Sequence, residues 1–417
     1  MSSPSRSLGG GRIIALLGIV LVAINLRTAV GAISPIIERI EVDLPLDAVL
    51  LGLIGAAPPL IFALSGLIGP TVVRLVGLER GVLAAMVVMI AGHVLRAVAP
   101  HPSVLLIGTA LALLGAGVGN VLLPPIVKRY FPDRLGTVTA GYVTIMSIGA
   151  TVPPVIAVPV ADGAGWRFSL AIWAISGVLA AGPWVAELAV RGRRMQHHDA
   201  AEQKAEARAP LAASMARSKI AWSAGLMFGL AAIGAYAAFA WLPTLLVDTA
   251  GVTDAQAGIL LGVFSICGFP AALLVPVLAV RLRSPRPIIA VGMAMFVVGY
   301  LGLLLAPTVA PLLWVVFVGF GPLMFPLGLT LINLRSRTQA GAVALSGFVQ
   351  GLGYVLGAAG PLAAGLLHDA TGGWVAPLLF LLGSVVLAVP SLVVLGAHRY
   401  VEDELEAGVE RRAARAG

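Results

Sequence analysis

Apolar positions in this chain run in long unbroken blocks, and polar residues gather in the short gaps between them. The blocks cover roughly residues 13–37, 48–73, 81–99, 103–127, 136–160 and 167–189. They resume at 220–247, 255–280, 287–305, 310–334, 341–367 and 375–397. About 20 apolar residues suffice to cross a bilayer as a helix, so each block predicts one spanning helix. The pattern predicts an all-α integral membrane protein with twelve transmembrane helices. The one long polar segment, residues 191–219, divides them six and six. The expected organisation is a tail over 1–12, a first half over 13–190, a central loop over 191–219, a second half over 220–397 and a tail over 398–417.

The two halves echo each other. Asp47-Ala48 opens the second block and Arg74-Leu75 closes it, whereas Asp254-Ala255 opens the eighth and Arg281-Leu282 closes it, an offset of 207 at both ends. Gly149, Pro153 and Trp166 match Gly357, Pro361 and Trp374 at an offset of 208. Two pseudo-symmetric six-helix halves follow from these offsets.

Composition agrees: of 417 residues 59% are hydrophobic and only 11% charged, which excludes a set of soluble domains. The 50 glycines and 28 prolines suit membrane helices, where neighbours re-satisfy freed backbone groups. Cys267 is the single cysteine, which rules out an intramolecular disulfide. Arg6 and Arg12 precede the first block, but its length marks a retained span rather than a signal peptide. The net charge of +8 could suggest nucleic acid. Its distribution says otherwise, because 23 of the 27 basic residues fall on one side of the predicted membrane. Arg39 and Arg167 face the other side, with Glu38, Glu41, Asp43, Asp47, Asp162, Asp248, Asp254 and Asp369. This bias puts both termini in the cytoplasm, and no nucleic-acid partner is expected.

Arg27 and Arg96 are the basic residues left inside spans. A cation at that depth costs a few kcal/mol on insertion scales and so faces something other than lipid. For Arg27 there are two readings, a guanidinium that pairs with a small anion or one that bonds the carbonyls of a broken helix; the first is preferred. Asn25 is a further candidate for solute binding, although it lies about 200° around a helix from Arg27 and cannot share its narrow face. Arg96, near the end of the third span, is expected to snorkel to the surface rather than gate or couple. His93, beside it, is read as structural. Asn120 precedes Pro124-Pro125, which should free the carbonyls near 120 and 121, either lining a cavity or serving helix packing. Gln350 and Tyr354 share a face amid glycines and could bond a neighbouring helix or a solute. Tyr236 and Trp241 could flank a planar solute, although Trp241 also suits an interfacial belt. His368 and Asp369 could form a gate, with solvated outer-loop residues the plainer reading.

The His197-His198 pair sits in a charge run without further ligands, and no metal site is expected there. No nucleotide-binding loop or catalytic group is recognisable, so neither an enzyme nor a cofactor is expected. Sparse intramembrane polarity argues against a channel. No carboxylate lies clearly inside a span, Glu187 being near the end of the sixth, so a coupling proton stays a candidate without sequence support.

A six-plus-six chain with parallel halves resembles the major facilitator superfamily. Gly69, Arg74, Gly77 and Arg80 survive from that superfamily's loop signature, with Val73 where an Asp is expected. AINLRTAVGAISPII around Arg27, GNVLLPPIVKRYFP over 119–132, AWLPTLL over 240–246 and SGFVQGLGYVLGAAGPLAAGLLHDATGGW over 346–374 resemble the cyanate and 2-nitroimidazole transporter family (CynX/NimT). In the seventh span that family tends to have Gln-Ser where this chain has Ala231-Ala232. The resemblance implies a secondary transporter in a bacterial inner membrane. It implies a solute site near the midplane between the halves, alternating access by rocking, and a small-molecule substrate such as a cyanate-like anion. Efflux of 2-nitroimidazole-like compounds is the alternative. The expected partners are the solute and the lipid bilayer, with the protein a monomer.

Overall fold

The structure is a computed structural model, and it describes residues 10–46, 48–194 and 212–416. Asp47, the His197-His198 pair, most of the expected central loop and most of the amino-terminal tail lie outside the described residues. Every regular element among the described residues is helical. Among the described residues eleven stretches are long and apolar enough to span a membrane, and one of them, 59 residues long, is nearly three times the needed length. In that stretch Gly165, at φ 83°, turns the chain between two helices, so the eleven stretches hold twelve spans. A positive φ is open to glycine and costly for residues with a Cβ, which is why the turn can be this short.

The chain forms two compact units, Met1–Ala213 with Thr338–Gly347, and Ser214–Arg337 with Phe348–Gly417. The first unit holds α1 (Gly10–Asn25), α2 (Thr28–Gly31), α3 (Ile37–Glu41), α4 (Ala48–Val76), α5 (Leu78–Ala97), α6 (Pro102–Tyr130) and α7 (Leu135–Arg194). Helices α5 and α6 pack backbone to backbone. A Cβ on Gly92 would lie 2.2 Å from the Ala112 nitrogen, and one on Gly108 would lie 2.7 Å from the Arg96 nitrogen. Such contacts let helices associate where lipid removes the hydrophobic drive. Helix α5 starts earlier than the hydrophobic block suggests, which places Glu79 in its first turn and buries it. The Tyr130 hydroxyl sits between Glu79 Oε1 at 2.9 Å and Glu187 Oε1 at 3.1 Å, and Arg129 Nε lies 3.1 Å from Glu79. This cluster ties together the ends of α5, α6 and α7.

The second unit holds α8 (Lys219–Ala250), α9 (Asp254–Arg281), α10 (Arg286–Leu305), α11 (Pro311–Phe320), α12 (Met324–Leu334), most of α13 (Gln339–Thr371), α14 (Val375–Ser384), α15 (Val389–Val394) and α16 (Val401–Ala416). Single 3₁₀ turns join α11 to α12 and α14 to α15, so each pair makes one span. Glu404 of α16 caps the start of α8, accepting from Ser218 Oγ at 2.6 Å, Lys219 N at 2.9 Å and Ile220 N at 3.2 Å.

The internal repeat has a structural counterpart in each unit. In the first, Trp166 Nε1 donates to Asp43 at 2.8 Å; in the second, Trp374 Nε1 donates to Asp248 at 2.8 Å. A positive-φ glycine shortly precedes each tryptophan, Gly165 in one and Gly372 in the other. The matched glycines also make matched contacts. A Cβ on Gly149 would meet the Ile24 carbonyl, and one on Gly357 would meet Ala232, 208 residues further on.

Candidate functional site

In the first unit the chain breaks where Arg27 stands. Helix α1 ends at Asn25, α2 starts at Thr28, and Arg27 between them takes φ −113° and ψ −11°. Its repeat counterpart α8 is a single 32-residue helix, so the fold does not require a break there. The cause is local. Thr28 Oγ1 donates to the Asn25 carbonyl at 2.9 Å and Asn25 Nδ2 to the Leu21 carbonyl at 2.9 Å, and side-chain bonds of this kind compete with the helical ladder. The amide of Asn25 also reaches α7, donating to the Ser176 carbonyl at 3.1 Å and accepting from Ser176 Oγ at 2.6 Å. Asn25 is thus turned into a packed contact with α7, away from Arg27, as their angular separation predicts.

Arg27 is half-buried, with its guanidinium carbon 5.6 Å from the centre of the Phe62 ring. Such a contact holds a cation without neutralising it. Phe62 was not visible as a site residue in the sequence, since one Phe among 13 in an apolar block carries no signal. Leu26, next to Arg27, fits against Gly119, where a Cβ would lie 3.0 Å from Leu26 Cδ2, and this brings the buried Asn120 stretch of α6 beside the break.

Of the two carbonyls freed by Pro124-Pro125, that of Val121 serves packing. Pro125 has no N–H for the Val121 carbonyl, which instead accepts from Ser346 Oγ at 2.6 Å, while the Pro125 carbonyl accepts from Gln339 Nε2 at 2.7 Å. Both partners come from the part of α13 that belongs to the first unit.

Arg96 corrects the expectation of snorkelling. It is 0% exposed and turned inward, with Nη1 3.3 Å from the Ala29 carbonyl and Nη2 2.7 Å from His93 Nδ1. The physical reason is the flush α5–α6 contact at Gly92 and Gly108, together with the Ala29 carbonyl and His93 within hydrogen-bonding reach.

In the second unit Tyr236 and Tyr354 come together, with ring centroids 6.5 Å apart, and Phe228 stands 5.5 Å from Tyr354. Gln350 is fully buried on the same helix as Tyr354. The glycines of α13 admit α8: Gly353 faces Phe228, Gly357 faces Ala232 and Tyr236, and Gly360 faces the Ile233 carbonyl. Trp241 lies apart from this group. It donates to the Pro361 carbonyl at 2.9 Å, stands 5.9 Å from Trp374 and lines an apolar pocket with Gly234, Tyr300 and Leu381. His368 stacks on Trp374 at 4.2 Å, and Asp369 is exposed. In the first unit the matching place over Trp166 is taken by Arg167, at 4.2 Å, which also pairs with Asp43. The Trp166 indole and then the Arg167 guanidinium hold the Asp43 carboxyl below the usual carboxylate range.

No group of metal-binding residues occurs among the described residues. The chain is 34% identical over 378 residues to the 2-nitroimidazole transporter of Escherichia coli (strain K12), covering 90% of this chain and 93% of that one. It is 26% identical over 364 residues to the cyanate transport protein CynX of the same organism, covering 86% and 91%. The fold is that of the proton:xylose symporter XylE bound to 6-bromo-6-deoxy-D-glucose, at a TM-score of 0.70 and 14% identity over 95% of this chain and 98% of the other. Residues 15–358 match the Major Facilitator Superfamily, and with twelve spans in a 6+6 order the chain belongs to that family of membrane transporters.

Proposed function

We propose that this transporter carries a small anion of the cyanate type by alternating access, with Arg27 as the group that holds the charge. The observation that carries the reading is the break in the first span: its repeat counterpart is continuous, and the residue at the break is a half-buried cation over an aromatic face. Interrupted helices at membrane depth are tolerated where they line a cavity or are covered by protein, and in transporters they frequently hold solute. A guanidinium fork suits a linear or planar anion, and the similarity to CynX supports cyanate as the first solute to try. Asn120 and Gln350 are polar candidates to assist, and His368 and Asp369 are candidate gate residues. The protein acts as a monomer in the bacterial inner membrane, with both termini cytoplasmic, and a proton is the candidate coupling ion.

The test is uptake of labelled cyanate, formate and acetate into proteoliposomes. Arg27→Ala is expected to abolish saturable anion uptake, and uptake at the wild-type rate would sink the anion site. A second reading, efflux of a neutral planar compound, is favoured by the Tyr236–Tyr354 pair and by the higher identity to the 2-nitroimidazole transporter. It predicts 2-nitroimidazole transport that Tyr354→Leu impairs and Arg27→Ala leaves intact.

A further inference from the structure

Arg96 is a fully buried cation whose nearest polar atoms are a carbonyl and an imidazole, and no carboxylate pairs with it among the described residues. Removing a guanidinium from water without a counter-ion is costly, so its retention calls for a role. Two of its contacts identify that role. Nη1 donates to the carbonyl of Ala29, which lies in the four-residue helix α2, where carbonyls lack partners along the chain and a nearby basic side chain can cap them. Helix α2 is in turn joined to Arg27, whose carbonyl accepts from Val30 N at 3.2 Å and Gly31 N at 3.2 Å. An isolated helix of this length does not hold its shape, because nucleation costs more than one turn returns. Something outside the segment must hold it.

The other contact fixes Arg96 itself. An Arg N–H can only donate, so His93 Nδ1 accepts the bond from Nη2, and His93 carries its ring proton on Nε2. The His93 ring is also fully buried, one turn before Arg96 on α5. Helix α6 lies against the same face of α5, at Gly92 and at the Arg96 backbone and Cβ, and from this packed position the guanidinium reaches the Ala29 carbonyl of α2.

The geometry points to Arg96 as a positioning residue for Arg27: held by His93, it clamps the short helix after the break and thereby sets the pose of the anion-holding guanidinium. The inference rests on the reading of Arg27 given above and assigns the third span a part in solute affinity. It requires no contact between Arg96 and the solute. A charged hydrogen bond of this kind, when lost, is worth about tenfold in an equilibrium constant.

The experiment compares wild type with Arg96→Met, Arg96→Lys and His93→Leu. Two readouts are taken: the concentration dependence of labelled cyanate uptake, and the rate at which phenylglyoxal modifies Arg27, followed by mass spectrometry with and without cyanate. Arg96→Met is expected to raise the half-saturation concentration about tenfold while the maximal rate changes less than about threefold. Arg27 should react several-fold faster, and cyanate protection should weaken by the same factor as uptake. Arg96→Lys, which keeps one donor for Ala29, should recover part of each effect, and His93→Leu should fall between. Wild-type half-saturation and wild-type labelling in Arg96→Met, with cyanate still protecting Arg27, would overturn the positioning role while leaving the Arg27 site standing. A lower maximal rate that only tracks lost folded protein would overturn it as well. Failure of cyanate to protect Arg27 in wild type counts against the solute site, and the labelling rate, which needs no solute, still decides the role of Arg96. If Arg96→Met does not accumulate in the membrane, His93→Leu carries both readouts.

Discussion

Gly149 offers a sharp test of how the break at Arg27 is held. A Cβ there would lie 2.2 Å from the Ile24 carbonyl oxygen and 3.0 Å from its carbon, and backbone atoms cannot rotate away as a side chain does. Relief to an ordinary C···O contact requires α1 and α7 to part by about 1 Å. The neighbouring Asn25–Ser176 bonds, at 2.6 and 3.1 Å, would then exceed hydrogen-bonding distance. Two membrane hydrogen bonds at about 0.6–1.5 kcal/mol each, plus residual crowding, give a loss of about 2–4 kcal/mol. Gly149→Ala is therefore expected to lower Tm in detergent by several degrees and to weaken cyanate uptake through displacement of the break. Gly141, on the same helix, has open space where a Cβ would stand, with nothing within 4 Å, so Gly141→Ala should be neutral or mildly stabilising through helix propensity. Equal stability and uptake in the two variants would refute the claim that α1 is seated on Gly149.

Three further outcomes are expected. Ser346→Ala should cost about 1 kcal/mol by leaving the Val121 carbonyl unbonded, and Pro125→Ala, which supplies a backbone N–H for that carbonyl, should make the same change nearly neutral; additive losses in a thermal-shift cycle would count against this account. Glu404→Ala should destabilise the second unit by about 1–2 kcal/mol through loss of the α8 cap, and a Tm equal to wild type would contradict the capping role. Because the Asp43 carboxyl is held below its usual range, its contribution is present above the unfolded value near about 3.9 and is lost as pH falls through the lower folded value. Acid unfolding of Asp43→Asn should accordingly be flatter below about pH 4 than that of wild type, and identical acid profiles would remove Asp43 from the clasp.

The hydrophobic blocks already contained the number of spans, because bilayer thickness converts apolar length directly into a helix count. The repeat was legible too, since Gly149, Trp166 and their partners at 208 residues' distance occupy contacts that both halves must make. Arg27 could be singled out because a cation inside an apolar run needs a reason wherever the helix lies. What surrounds it could not be read. Phe62 and Ser176 are ordinary residues in their blocks, brought to the break only by the packing of α4 and α7.

Arg96 marks the limit most clearly. From the sequence it stood close to the end of a span, where water is within reach of a long side chain, and snorkelling followed. The tertiary structure closes that route with two glycine contacts and offers the Ala29 carbonyl and His93 instead. Pro125 shows the same division: sequence determines that the Val121 carbonyl is freed, because proline has no N–H, while only the fold decides that Ser346 takes it. Sequence by itself determines what depends on local chemistry and on the thickness of the bilayer. The partner that each buried polar group finds depends on which helix the chain brings beside it, and that was decided in three dimensions.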